Sequence, residues 1–346
     1  MFRQPHPLSQ PEVSIASQVK ARALQLGFSK VGIARPESLS PELSHLQEWL
    51  ARDYHGEMKW MERDPAQRAD PRRFWPPARS IVVVALNYYT PHQHSVSAGA
   101  GVRIPTSRGS DRIKSANDVS QSTGKISRYA WGDDYHNIIG DKLRELLSWI
   151  KTQSPAAEGK VCVDIQPVMD KAWATRAGLG WIGKHTNLIT NEFGSWVFIG
   201  ELLLNLDLEA EESEVADQCG SCTLCLEACP TNALTEPYVL DANLCISHAT
   251  IESRAPGIRD DVVQHLEGWL YGCDSCQDVC PWNQMTLATN ESRFEPREGN
   301  VNPLLSEILE LDQDSYATRF RRSAMKRAKL AGLQRNARAL NSMHKK

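Results

Sequence analysis

The sequence predicts an α+β protein in three parts: a mixed helix–strand domain, a cysteine-rich module and a short helical tail. Three observations predict this. Strand-like apolar runs alternate with helical periodicity through the N-terminal half. Eight of the nine cysteines fall between Cys219 and Cys280. From Arg319 to Lys346 there are ten Lys/Arg and no Asp/Glu.

Residues 11–27 carry Val13, Ala16, Val19, Ala23 and Leu26 near helical spacing, with Gly27 as a stop, and read as a helix. Val31 to Ala34 reads as a short strand. Pro41 to Arg52 reads as a helix, with Ser40 as N-cap and Pro at its first position. Ser80 to Tyr89 is rich in β-branched residues and reads as a buried central strand. Residues 91–124 are rich in Ser, Gly and Ala without a period, which predicts a flexible insertion. A helix then runs to about Lys151, followed by a strand over Val161–Val168. Asp170 to Ala177 reads as a short helix closed by Gly178 and Gly180. Thr186–Thr190 and Trp196–Leu204 flank Asn191–Gly194 and suggest a hairpin. Asp207 to Asp217 holds six acids and reads as a linker. From about 303 onward the chain reads as helical. The expected domains are therefore 1–206, a linker at 207–217, a cysteine module at 218–290 and a helical basic tail at 291–346.

A chain of 346 residues can bury a sizeable core and carry two or three domains. No apolar stretch reaches membrane-spanning length. Met1 to Gln10 has neither an apolar signal core nor a twin arginine, so the reading is a soluble cytoplasmic protein without membrane partners. Net charge is −3, but the acid-free C-terminal stretch is strongly basic, the pattern expected of a polyanion partner. A solvated helix face usually mixes charge signs instead.

The cysteine spacing carries the most specific chemistry. The first run is Cys219-x2-Cys222-x2-Cys225-x3-Cys229-Pro230, and the second is Cys273-x2-Cys276-x3-Cys280-Pro281. In two-cluster ferredoxins the fourth cysteine of each run ligates the other [4Fe–4S] cluster. Cys219, Cys222 and Cys225 then pair with Cys280, while Cys229 joins Cys273 and Cys276. A full second run would place a cysteine at 270, but Leu270 stands there, and Cys245 is the nearby thiol left to complete the set. Two four-cysteine zinc sites are the alternative, although zinc ribbons rarely use this spacing. A disulfide framework does not suit a chain of this length and compartment. Cys162, between two valines, reads as core packing.

The N-terminal half has no G-x-G-x-x-G after a strand and no Walker loop. The glycines of Gly178–Gly183 end a helix rather than start one, and allow close backbone approach to a cofactor or to a neighbouring sheet. The strings ISRYAWGDDYH, RAGLGWIGKHTNLI, CGSCTLCLEACPTNAL, LDANLCISHATIE, YGCDSCQDVCPWN and MKRAKLAGLQRNA together closely resemble the epoxyqueuosine reductase family. The resemblance spans about residues 10 to 340.

That resemblance implies a corrinoid-binding α+β domain like that of reductive dehalogenases and nitroreductases, followed by a ferredoxin-like two-cluster module. It implies cobalamin and two [4Fe–4S] clusters as cofactors, and reduction of epoxyqueuosine to queuosine at the tRNA wobble position, the last step of queuosine biosynthesis. The family's proton donor falls on Asp170. The alternative for Asp170 is a helix N-cap. Asp274, Ser275 and Ser247, close to cluster cysteines, are implied cobalamin contacts beside Asp170, with Tyr129 and His185 as further pocket residues. The tail residues Arg321, Arg322, Lys326, Arg327, Lys329 and Arg335 are implied phosphate contacts. In longer members a helical repeat follows the clusters, and this chain stops soon after its start. An unidentified reductant protein and a monomeric state complete the expectation. Two other readings stand beside it: a corrinoid reductase of small molecules, similar to reductive dehalogenases, and a non-enzymatic nucleic-acid-binding protein with zinc sites.

Overall fold

The computed structural model describes residues 14–94, 122–210 and 215–343. Most of the expected insertion at 91–124 and the centre of the acidic linker lie outside the described residues. Four strands form an antiparallel sheet in the order β1 (Lys30–Ala34), β2 (Ser80–Asn87), β7 (Val197–Leu204), β4 (Gly159–Cys162). The register pairs Val83 with Glu201 and Glu201 with Cys162. Every residue of β2 is buried, as its unbroken apolar run requires, because both sheet faces are covered.

Period-two alternation assigns the faces. Val82, Val84, Leu86, Leu202 and Leu204 meet α1 (Ile15–Gln25) and α5 (Tyr135–Gln153) through Val19, Ala23, Ile139, Leu143 and Leu146. Ile81, Val83, Ala85 and Leu203 meet the opposite layer, where Ala172, Trp173 and Ala174 of α6 (Asp170–Arg176) pack. Each fully buried Val, Leu or Ile contributes about 1.5–3 kcal/mol, so this sheet is the rigid floor of the domain. Glu201 takes the same face as Leu203, and its side chain is therefore aimed at the α6 layer.

The remaining layer of that face is built from α2 (Ser40–Ala51), α3 (Pro65–Ala69) and α4 (Pro71–Phe74). Ser40 is inside α2 rather than its cap, which is Leu39. The expected strand at 161–168 ends at Cys162, because Asp164 adopts a left-handed φ of 61° and the chain leaves the sheet. The expected hairpin across 186–204 is not formed. β6 (Leu188–Ile189) pairs with β5 (Trp181–Ile182), whereas β7 enters the large sheet, leaving only a bridge between Thr190 and Gly194. The glycine-rich turn approaches this small ribbon: a Cβ on Gly180 would lie 2.0 Å from the Ile189 carbonyl oxygen.

The cysteine module carries the short helices α7 (Leu224–Glu227), α8 (Ile246–Ile251), α9 (Asp260–Val263) and α10 (Ser275–Asp278). A ribbon of β8 (Leu234–Glu236) and β9 (Val239–Leu240) separates the two cysteine runs. This module shares a core with both flanking parts. β3 (Lys125–Ile126) pairs in parallel with β10 (Trp269–Tyr271), and Gly124 N–H donates to the Pro303 carbonyl. One apolar cluster joins Ile126 and Trp131 to Trp269, Tyr271, Phe320, Leu333 and Leu340.

The C-terminal helices α11 (Leu305–Glu310), α12 (Gln313–Arg319) and α13 (Lys329–Met343) are thus part of the body of the protein. Asn336 on α13 is fully buried and donates to the carbonyls of Thr250, 2.8 Å, and Leu270, 2.9 Å. Asn336→Leu leaves both buried carbonyls without their donors. We expect a loss of about 2–4 kcal/mol, read as a lowered midpoint in urea unfolding of the cluster-loaded protein.

Candidate active site

The cysteines influence one another in two groups. After burial, Cys225 is raised by Cys280, Cys219 and Cys222, and Cys276 by Cys273, Cys245 and Cys229. Burial, then the neighbouring thiols, push Cys225 up to about 11 and raise Cys276 well above the ordinary thiol value. A quartet so disposed resists ionisation unless cations accompany the thiolates. Each group supplies four thiols, the number that a [4Fe–4S] cluster takes.

Polar groups surround the thiols. Ala233 N–H donates to Cys229 Sγ at 3.2 Å, and the Ser275 hydroxyl lies 3.3 Å from Cys273 Sγ. Ser275 is also within 3.3 Å of the Trp269 indole nitrogen, so its side chain braces the cluster loop. Ser247 lies in the first turn of α8, its backbone N–H directed at Cys245.

Asp170 opens α6 as its first residue, and its side chain caps no amide, so the N-cap alternative does not describe it. The carboxyl is half-buried, with Oδ1 closed off from solvent and without a hydrogen-bond partner. Burial and the nearby Asp164 charge push its pKa up to about 7. Its carboxyl partner is Glu201, fully buried in β7, raised well above the carboxylate range by burial and by Asp170. Glu201 is missed by the sequence reading. Its signal is a lone acid inside the apolar run Val197–Leu204.

Lys171 and Asp164 are open to solvent, yet desolvation is the largest influence on both. Both side chains therefore reach solvent from a concave, protein-crowded surface. Burial lowers Lys171, partly opposed by Asp170, Asp164 and Cys276, so Lys171 lies near both the candidate acid and the second group of cysteines. Desolvation would raise Asp164, but hydrogen bonds from His136, 3.3 Å, and Tyr135, 2.7 Å, hold it below its ordinary value. Despite its own desolvation, His136 is held up to about 9 by Asp134 and Asp164.

The other expected cofactor residues divide. His185 is buried, brought down to about 4 by burial and the Lys171 charge, and so stays neutral. Its Nδ1 accepts from Asn187 N–H at 3.2 Å, and its Nε2, which then carries the proton, has no partner. Tyr129 is half-buried, with its hydroxyl 3.0 Å from that of Tyr271. Asp274 corrects the expectation. It is buried, and its two oxygens accept from Ser127 Oγ, 2.5 Å, and Arg128 N–H, 2.7 Å, so they are not presented to a cofactor.

The basic surface also differs in part from expectation. Arg321, Arg322, Lys326 and Lys329 are exposed. Arg327 is exposed but forks onto Glu252 at 2.7 Å. Arg335 is buried, donating to the carbonyls of Ala249, Ser253 and Ala255, and therefore cannot reach a phosphate. Leu333, Ala337 and Leu340 form the core-facing stripe of α13, and Arg335, off that stripe, is buried by the 249–255 segment whose carbonyls it meets.

Comparison with known proteins agrees with both halves of this geometry. The family profile described as "Epoxyqueuosine reductase QueG, DUF1730" matches residues 68–165, and "4Fe-4S double cluster binding domain" matches residues 218–283. An epoxyqueuosine reductase of Synechocystis sp. is 43% identical over 85% of this chain and 93% of its own. One from Gloeobacter violaceus is 42% identical over 94% of this chain and 95% of its own. A crystal structure of epoxyqueuosine reductase with a tRNA-TYR epoxyqueuosine-modified tRNA stem loop superposes with a TM-score of 0.80, at 30% identity, covering 93% of this chain and 80% of that one. The epoxyqueuosine reductase of Streptococcus thermophilus gives a TM-score of 0.79 at 28% identity, covering 94% of this chain and 80% of its own. With the likeness extending from the sheet through both thiol quartets to the C-terminal helices, the chain belongs to the epoxyqueuosine reductase family.

Proposed function

We propose that this protein reduces epoxyqueuosine in tRNA to queuosine, using cobalamin and two [4Fe–4S] clusters. The observation that carries the reading is that Lys171 feels both the Asp170 carboxyl and the Cys276 thiol, so the candidate acid and the second group of cysteines lie in one neighbourhood. Removing an epoxide oxygen as water needs two electrons and two protons, so an electron source and an acid must meet at one place.

Cys219, Cys222, Cys225 and Cys280 hold one cluster, and Cys229, Cys245, Cys273 and Cys276 hold the other. The unsatisfied Nε2–H of His185 and the exposed Lys171 line a cleft suited to a large polar cofactor, with Tyr129, Ser247 and Ser275 as further contacts. Bound cobalamin supplies a cobalt centre able to pass electrons to the epoxide. Asp170 supplies the proton to the leaving oxygen, a task suited to a carboxyl with a pKa near 7. Asp164, held ionised by His136 and Tyr135, serves as a fixed negative group at the cleft rim rather than as an acid.

The polyanionic substrate is received by charge on Arg321, Arg322, Lys326 and Lys329, with Arg327 available if its pair with Glu252 opens. Among the described residues no helix is long and apolar enough to cross a membrane. A cytoplasmic monomer fed by a separate reductant protein completes the reading.

The decisive experiment incubates reduced, cobalamin-loaded enzyme with tRNA carrying epoxyqueuosine and digests the product to nucleosides. Queuosine is the expected product, and none at full cofactor loading would sink the reading. Asp170→Asn should keep the corrinoid absorption spectrum but lose at least ~100-fold in turnover, the usual scale for a general acid. Turnover within a few-fold of the parent would remove Asp170 from the reaction. Cys245→Ala should halve the iron content of anaerobically purified protein, and unchanged iron would show the quartets to be wrongly divided.

A further inference from the structure

Glu201 has no counterpart in the mechanism so far, yet it sits in the most rigid part of the molecule. It lies at the centre of β7, flanked in register by Val83 of β2 and Cys162 of β4. Its side chain is fully buried, and neither oxygen has a partner other than the Asp170 carboxyl. Asp170 Oδ1 is likewise closed off and otherwise unpartnered. A fully buried carboxyl beside the closed-off Oδ1 of another disfavours a second charge, because two like charges there would repel with little solvent to screen them. The pair therefore favours holding at least one proton.

The groups facing the pair are few. Asp164 and Cys162 approach from β4 and the loop after it, Lys171 from α6 and Arg68 from α3. The Cys162 thiol is pushed far up by burial and then by Glu201 and Asp170, so it stays neutral. Lys171 and Arg68 oppose the Asp164 charge at Asp170, but neither donates a hydrogen bond to either carboxyl: Lys171 Nζ goes to the Thr186 carbonyl and Asn187, and Arg68 to the Trp60 carbonyl. Among the described residues, no donor reaches the buried oxygens of the pair, Asp170 Oδ1 and both oxygens of Glu201.

We propose that Glu201 is the proton-sharing partner of Asp170, a positioning residue that keeps Asp170 in its acid form and returns a proton to it within one turnover. The proposal rests on the reductase reading above. The reduction breaks both C–O bonds of the epoxide, forms a carbon–carbon double bond, takes two electrons from the cofactors and two protons, and releases water. The pair stores those two protons. Asp170 gives the first to the oxygen, Glu201 passes its own to the Asp170 carboxylate, and Asp170 delivers the second. Water in the cleft reloads the pair. A donor with its pKa near 7 is competent below that value, so activity falls as pH rises through about 7.

Two measurements test this. The first is infrared titration of the full cluster-loaded chain before cobalamin is added, which needs no substrate. At pH 6 the parent should show protonated-carboxyl bands for Asp170 and Glu201 beside that of Asp278, which burial also pushes up to about 7, and the variants assign them. Glu201→Gln should remove the Glu201 band and move the titration of the Asp170 band at least about one unit towards acid, because an amide can donate to an ionised Asp170 but cannot share its proton. Asp170→Asn should remove the Asp170 band and shift the frequency of the Glu201 band. The second measurement is the pH–rate profile of the complete enzyme on tRNA carrying epoxyqueuosine. Its alkaline limb should move to lower pH in Glu201→Gln, costing about tenfold at pH 8 for each unit moved, with smaller loss at pH 6. A parent without the Asp170 and Glu201 bands at pH 6, or variants in which the surviving band of the pair and the alkaline limb stay put, would overturn the proposal. Should Glu201→Gln not fold, the Asp170→Asn spectrum decides alone. Coupled bands in a parent that reduces no epoxyqueuosine would reject the reductase reading and leave the carboxyl pair standing.

Discussion

The geometry of this protein depends on one buried carboxylate, that of Asp274. It stands between two cysteines of the second quartet and accepts from Ser127 Oγ and Arg128 N–H. Desolvation of such a group costs several kcal/mol unless hydrogen bonds offset it, so the loop between Cys273 and Cys276 has one low-energy position relative to β3. Further bonds extend from there. Ser127 N–H donates to the Tyr271 carbonyl, and Asn336 secures Leu270 and Thr250. The second quartet is thereby fixed against the α+β domain, and the width of the cleft follows from that fixation.

Within the cleft, two carboxyls a short distance apart in sequence receive opposite environments. Asp164 has His136 and Tyr135 as donors and stays ionised. Asp170 faces another carboxyl, and burial pushes its pKa up to about 7. The residue type is the same, and the donors supplied by α5 and the sheet decide the role. The left-handed turn at Asp164 makes this possible by taking the chain out of β4 and over the N-terminal end of α5.

Much of this was legible in sequence wherever a local rule governs. The uninterrupted apolar run of β2 identified an inner strand, and cysteine spacing marked a double-cluster module where a double-cluster family profile matches. What failed to show depends on long-range contacts. Whether the run at Trp196–Leu204 folds back as a hairpin or enters the large sheet is decided by β2 and β4, not by the Asn191–Gly194 turn. The basic C-terminal stretch reads as one surface by charge, but the carbonyls of Ala249, Ser253 and Ala255 hold Arg335 inside and leave Lys329 outside. Asp274 has the composition of an exposed loop acid, and only the partner segment at Ser127–Arg128 makes it internal. Glu201 carried a local signal, an acid in an apolar strand, whose meaning needed the identity of its neighbour across the layer.

The segments on either side of the undescribed stretch at 95–121 are tied to each other. Arg128 donates to the Thr90 and His92 carbonyls, and His94 contacts the Ile126 carbonyl at 2.9 Å, while its ring stacks edge-on between Trp131 and Trp269. Both ends of that interval are therefore clamped to β10 and its neighbours from within the described chain, so the segments at 88–94 and 122–131 hold their places on the core by their own contacts.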